Sequence, residues 1–324
     1  MSTAAAPLRK SSGERAGSRT ITGPRERAGD RFFRLIVTGF AGLILLAALA
    51  LACQLARGSL QTWKAFGFSF LFTSVWDPVQ NVFGALPFLY GTVVSSLIAL
   101  LIAVPLGVGS AVFLAELAPR RVSDAVSFAV ELLAAVPSVI LGLMGIFILV
   151  PVVRSCEPFL TKWLGFLPLF RGAPYGIGLL SAGVILALMI LPYITSITRE
   201  VLLTVPRPLK EAMYALGATR WEMVRTVSLP YARSGIFGAV FLALGRALGE
   251  TMAVTMVIGN TPKISASLFD PAYSMAAVIA NELAEAAGDA HLSALIALGL
   301  VLFGVTIVVN GAARLLIYKA EDRK

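Results

Sequence analysis

Residues 204–230 read TVPRPLKEAMYALGATRWEMVRTVSLP, a charged segment set between two long apolar runs. Leu209, Ala212, Met213 and Leu216 recur at i, i+3, i+4 and i+7, the spacing of one helical face. Gly217 follows the last of them, where a left-handed C-cap position favours glycine. Thr219 and Glu222 have the spacing of a capping box that opens a second helix, and Pro230 is expected to close it. The element predicted over 206–230 is therefore helix, glycine joint, helix. It is too short and too charged to cross a bilayer, yet its apolar face needs something to pack against. Two readings stand: a loop with local structure, or a docking surface for a soluble partner.

What surrounds the segment favours the second. The chain is 57% hydrophobic and 14% charged, with a mean hydropathy of +0.84, outside the range of soluble globular domains. It reads as an all-α, polytopic membrane protein. The net charge of +9 is spread over the gaps between apolar runs, which argues against nucleic acid as a partner and for positive charge retained on one side of a membrane lipid bilayer. Two cysteines and one histidine leave little room for a metal site or a disulfide framework. No G-x-x-x-x-G-K-[ST] stretch is present, so any ATP must be held by another subunit.

Six spans are expected, at about 35–56, 86–115, 131–153, 174–198, 231–259 and 292–313. A basic, disordered tail over 1–34 precedes them, and a short tail over 314–324 follows. A cleaved leader ending near Cys53 is the alternative for the first apolar run, which is long for that role. Residues 57–85 carry Trp63, Phe66, Phe68, Phe70, Phe72 and Trp76, aromatics of the kind found at membrane interfaces. With six spans, twenty Lys and Arg fall on the side of the termini and six on the other. That bias places both termini and the 206–230 segment in the cytoplasm.

Arg246 lies about 18 Å into the fifth span, near the middle of a core about 30 Å thick. A charge there costs at least about 2.5–3.5 kcal/mol and needs a partner or water. Glu250 stands at i+4, where the two can pair, beside a stripe of small residues, Gly245, Gly249 and Ala253, that lets another helix approach. The pair is either a packing device or a polar station on a path through the membrane. An arginine suits an oxyanion, and Glu250 would keep its field from holding that anion too tightly. Other polar residues read more plainly: Glu131 as an interfacial carboxylate, Asn310 as glue between helices, His291 as solvated. Cys53 and Cys156 are either apolar filling or an oxidised pair. No nucleophile, base and metal set converges in the spans, so the chain does not read as an enzyme.

Glu211-Ala212, Gly217 and Val227-Ser228-Leu229-Pro230 resemble the E-A-A, three residues, G, nine residues, I-x-L-P loop of ABC importer permeases. Met213 replaces the second alanine and Val227 the isoleucine, both keeping an apolar face. The resemblance implies a type I importer-permease fold with a coupling helix between spans four and five, seated on a cytoplasmic ATPase. On it, Glu211, Ala212, Leu216, Gly217, Leu229 and Pro230 are the coupling residues. Four further blocks are similar to the phosphate-specific permeases, in their C-type form: SFLFTSVWDPVQNVFGALPFLYGTVVSSLIALLIAVPLGVGSAVFLAEL, ELLAAVPSVILGLMGIFILVP, MILPYITSITREVLLTVP and LGRALGETMAVTMVIGN. They cover most of 69–260, and they match Arg246 and Glu250 to that family's intramembrane charged pair. The resemblance further implies a prokaryotic inner membrane and phosphate import, with a homologous A-type permease, two ATPase subunits and an extracytoplasmic phosphate-binding protein as partners. ATP and Mg would be bound by the ATPase, with no cofactor in this chain. Import of another oxyanion or small solute, the A-type partner itself, and a channel or scaffold are the alternatives.

Overall fold

The computed structural model describes residues 24–321, with side chains from 29 to 315. Among these the regular structure is helical, joined by non-helical connections, with one isolated antiparallel bridge between Asp77 and Val82. Six stretches are long and apolar enough to cross a membrane: Gly29–Gly58, Leu86–Leu117, Ser138–Leu164, Leu179–Leu203, Arg220–Gly249 and Asp289–Leu315. The chain divides into two units after Leu51. The first is represented by helix α1 (Pro24–Gly58) as far as Leu51. The second carries everything that follows.

The helices of the second unit are α2 (Leu60–Phe66), α3 (Leu86–Val112), α4 (Arg120–Ala135), α5 (Ser138–Met144), α6 (Val150–Leu164), α7 (Leu179–Leu203), α8 (Arg207–Ala215), α9 (Arg220–Met223), α10 (Leu229–Gly249), α11 (Met252–Ile258), α12 (Met275–Glu282) and α13 (Asp289–Glu321). α7 is their axis. It is the most buried span and packs on α3, α10, α4 and α11. Its closest neighbour is α3, because two glycines remove the side chains that would hold them apart. A Cβ on Gly183 would stand 2.4 Å from Ile98, and one on Gly107 2.8 Å from Ile194. Small residues at such contacts are how membrane helices gain packing where no hydrophobic force separates them from lipid.

A second core forms at the end of the bundle away from Gly217. Phe70, Phe83 and Phe88 are fully buried there with Met275, Leu295 and Leu298. Trp76 meets Phe83 and Phe88 edge-on at centroid distances of 4.9 and 4.8 Å. Trp63, Phe66, Phe70 and Trp76 thus form a packed cluster with residues of α12 and α13, while Phe68 and Phe72 are exposed.

Prolines shape the spans in a consistent way. Three π-helical turns occur, at Phe113–Leu117, Gly145–Leu149 and Val224–Ser228. Each is followed two residues after its end by a proline: Pro119, Pro151 and Pro230. A proline cannot donate to the helical ladder, and its ring crowds the preceding turn. For Pro151 and Pro230, which stay within a helix, widening that turn to i→i+5 relieves the crowding: the Val150 and Leu229 N–H groups donate to Gly145 and Val224. Ala118, which donates to Phe113, is itself extended, so Pro119 lies beyond its helix. Pro230 therefore does not close a helix. It sits inside one that runs from Arg220 to Gly249, which corrects the expectation drawn from its identity alone.

Other boundaries move for equally local reasons. The span expected at 131–153 is two helices, because Val136 is held extended at φ −66°, ψ 128° by the following Pro137. α4 is thereby cut off as an amphipathic helix, and the span proper becomes Ser138–Leu164. It includes Arg154 and Glu157, beyond the end expected at 153. Glu157 is buried and accepts the Gly176 N–H at 3.0 Å. The fourth span begins at Leu179 rather than 174, after Gly176 at φ 74°. The tail expected over 1–34 is helical from Pro24, its earlier part lying outside the described residues. The tail expected from 314 is helical to Glu321.

Candidate functional site

The fifth span is discontinuous where its charges lie. α10 ends at Gly249, Glu250 is extended at φ −69°, ψ 128°, and the chain resumes as α11 at Met252. Arg246 and Glu250 are therefore not one turn apart on a continuous helix, and no ion pair joins them. This corrects the pairing expected from their spacing. Glu250 turns instead toward the start of α11, where Oε1 lies 3.5 Å from the Ala253 N–H. The expected small-residue stripe is divided too. Ala253 is buried on α11, while Gly245 and Gly249 face open space in this chain.

Arg246 has two compensations. It lies in the last turn of α10, where the partial negative charge of the free carbonyls favours a cation. Its guanidinium carbon also stands 4.5 Å above the ring centroid of Tyr193. Tyr193 projects from the interior of α7, about 15 Å along the helix from Leu203 and about 21 Å from Leu179, so Arg246 stands beside the middle of α7. The Tyr193 hydroxyl lies 3.5 Å from the Ala134 carbonyl, beside the other helix break at Val136–Pro137. One aromatic residue thus touches both interruptions of the bundle.

The magnitudes decide what this arrangement requires. A cation–π contact contributes about 0.5–1 kcal/mol when exposed and about 2 when desolvated. A mid-membrane guanidinium costs at least about 2.5–3.5 kcal/mol. The ring alone does not offset that cost, so the exposed N–H edge of Arg246 needs water or an anion. A helix break in a membrane has the same requirement, because its free backbone groups are tolerated only against protein or a water-filled cavity. Gly249 and Thr251, which flank the break, line an open, mostly apolar groove of about 460 Å³ together with Ala276, Ala280 and Leu302, and Arg246 and Glu250 lie outside it.

The second candidate site is the 206–230 element. α8 ends in a full Schellman motif: Gly217, at φ 82°, donates to Tyr214 at 3.0 Å, and Ala218 donates to Met213 at 3.1 Å. The Thr219–Glu222 capping box is complete, with the Thr219 N–H donating to Glu222 at 2.8 Å. Of the proposed helical face, Met213 is the member that turns inward, packing near Leu202, Met223 and Val224. Glu211, Ala212 and Leu216 are exposed, Leu216 at 84%. Leu229 is half-buried in the same inward cluster, and Pro230 is exposed.

Sequence reasoning missed the residues that hold this element to the bundle. Glu116, in the π turn that closes the second span, accepts from Lys210 Nζ of α8 at 2.7 Å and from Ser228 Oγ at 2.8 Å. Its only signal was being the first charge after a long uncharged run. His291 was misread as well. It is buried, stacked on Phe83 at 5.6 Å, and its Nε2 lies 3.0 Å from Glu282, which also accepts from Trp76 Nε1. Asn310 donates to Thr306 of its own helix and is exposed in this chain. Cys53 and Cys156 are free and exposed. Glu131 is exposed, at the edge of a small polar cavity with Ser127 and Arg199.

Residues 103–320 match the family described as binding-protein-dependent transport system inner membrane component. The chain is 50% identical to the phosphate transport system permease protein PstC of Mesorhizobium japonicum, over 94% of this chain and 95% of that protein. It is 48% identical to the protein of that name from Pasteurella multocida, over 91% and 93%. It is 42% identical to PstC 2 of Mycobacterium tuberculosis, over 89% and 91%. Among solved structures, a bacterial ABC transporter involved in the import of the acidic polysaccharide alginate superposes with a TM-score of 0.54 at 18% identity, over 88% of this chain and 98% of that one. The MetNI methionine ABC transporter, in inward facing conformations, superposes with a TM-score of 0.50 at 22% identity, over 73% and 94%. The helical arrangement is thus that of a type I ABC importer permease, and the six apolar spans are those of a multi-pass membrane protein.

Proposed function

The chain belongs to the binding-protein-dependent transport system inner membrane components, and from that membership we propose that it is the PstC-type permease of an ATP-driven phosphate importer. It performs no chemistry of its own. A homologous permease completes the pore, two ATPase subunits hold ATP and Mg, and an extracytoplasmic binding protein delivers phosphate. Both termini and the Gly217 joint face the cytoplasm, as the excess of Lys and Arg on that side favours.

The observation that carries the reading is the state of Arg246. Its ring-stacked face is occupied by Tyr193, while among the described residues no carboxylate takes its N–H edge. A guanidinium held in this way presents a planar fork matched to an oxyanion. Phosphate passing the break meets one fixed positive charge, the terminal carbonyls of α10 and the Glu250 carboxylate nearby. That mixture favours an anion without trapping it. ATP-driven closure of the ATPase pair moves the α8–Gly217–α9 element and switches the spans between outward and inward openings.

Phosphate uptake by proteoliposomes that contain the whole complex tests the reading. Arg246→Gln is expected to abolish uptake while the subunits still assemble. Normal uptake by an assembled Arg246→Gln complex would remove Arg246 from the path. Uptake by the unaltered complex that ignored phosphate and followed another solute would replace the substrate.

A further inference from the structure

Glu116 stands outside the docking face and outside the path, yet three segments meet on it. Its own segment is the π turn Phe113–Leu117 at the end of the second span. Lys210 reaches it from α8, and Ser228 from the π turn Val224–Ser228 that leads into α10. The Glu116 side chain is 6% exposed and that of Lys210 16%; Ser228 is fully buried. Ser123 of α4 donates to the Leu114 carbonyl on the same π turn at 2.8 Å, so this polar junction also reaches a fourth helix.

The rest of α8 has little grip on the bundle. No residue of α8 is fully buried, and Met213 is its one side chain that packs on the inward cluster. Beyond the backbone that joins α8 to α7 and α9, movement imposed on α8 from outside reaches the spans through two side-chain contacts: the thioether of Met213, which is soft and adaptable, and the Lys210–Glu116 pair. A buried charged hydrogen bond is short and directional, and breaking it by removing one partner is strongly unfavourable. The two turns that Glu116 joins, its own and that of Ser228, are both π-helical, a local geometry that passes to ordinary α-helix by a shift of one position in the ladder. The pair is thus rigid where it grips and attached to elements that can change register.

We propose that Glu116 is a positioning residue for energy coupling, which transfers displacement of the coupling helix α8 through Lys210 and Ser228 into the second and fifth spans. This rests on the importer reading above and assigns within it the point where motion enters the membrane domain. A docking anchor alone would set how well the ATPase is held. A transfer point sets how much transport each ATP yields.

The test is made on the whole complex in proteoliposomes, reading phosphate taken up per ATP hydrolysed and ATPase retained on purification. Glu116→Gln and Lys210→Met are expected to leave ATPase retention and ATP turnover within about twofold while uptake per ATP falls about tenfold or more, inside the range spanned by coupling free energies. Lys210→Arg, which keeps the charge, is expected to preserve the ratio. Should Glu116→Gln fail to fold, Lys210→Met, on the more exposed partner, carries the test alone. An unchanged ratio in Lys210→Met overturns the proposal. Loss of ATPase retention and hydrolysis together also overturns it, by making the pair a plain anchor. If the unaltered complex shows no ATP-driven uptake, the importer reading itself falls and takes the proposal with it; a defect confined to the variants does not touch that reading.

Discussion

The Arg246 guanidinium lies 4.5 Å above the Tyr193 ring, and this contact, in place of the ion pair with Glu250, sets the direction of its N–H fork. The face of the ring does this, since the tyrosine hydroxyl is 3.5 Å from its nearest acceptor, the weak limit of a hydrogen bond. Tyr193→Phe is therefore expected to keep uptake close to normal. Tyr193→Leu removes a contact of about 1–2 kcal/mol and should slow phosphate uptake about five- to thirtyfold. Equal uptake by the two variants would show that the stacking does not matter.

Glu250 offers a separate electrostatic test. Its carboxylate lies near the start of α11, a position that glutamine can fill with its own carbonyl oxygen. Glu250→Gln thus removes the negative charge and spares the fold. Arg246 then holds phosphate more tightly in the ground state, so KM and kcat for uptake should fall together. A rise in KM at unchanged kcat would mean that Glu250 helps to bind phosphate and does not temper its release.

What could be read beforehand follows from how local each cause is. Six spans were legible because a bilayer imposes long uncharged runs on any sequence that crosses it. Gly217 was legible because a left-handed residue after a helix is a stereochemical demand met on the spot. The break at 249–251 was not, since no proline marks it and Gly249 reads equally well as a small residue at a helix contact. Pro137 was visible, but the uncharged residues on both sides hid the helix end it causes. Nothing in the sequence sets Tyr193 apart from the apolar residues around it. Glu116 was illegible for a different reason: its partners lie 94 and 112 residues away, and only the fold brings them together.

Leu216 separates docking from stability. At 84% exposure it supports nothing in its own chain, so Leu216→Glu is expected to change thermal stability by no more than about 0.5 kcal/mol. Burying a leucine in a partner's groove is worth about 1.5–3 kcal/mol, so the same substitution should weaken ATPase retention about tenfold or more. Copurification at graded detergent and salt concentrations measures this, with Met213→Ala as the contrast, since it loosens the inward cluster instead. Undiminished retention of the ATPase by Leu216→Glu would exclude this face as the docking surface.

Gly217 tests whether the joint matters for its shape alone. A Cβ placed there meets nothing within 4 Å, so crowding plays no part, and only the backbone angle of φ 82° resists substitution. A left-handed conformation costs an ordinary residue about 1–2 kcal/mol, and asparagine less. Gly217→Asn is expected to behave nearly as the native chain, Gly217→Ala to be impaired and Gly217→Val to be worst, its branched Cβ tolerating the angle least. Hydrogen exchange reads the joint directly, because the Ala218 amide is protected only while it donates to Met213 across the Schellman turn. Uptake per ATP should fall in the same order as protection is lost. If Gly217→Val kept the Ala218 amide protected and still lost transport, the defect would lie at the ATPase surface; if it kept both, the joint would be a passive linker.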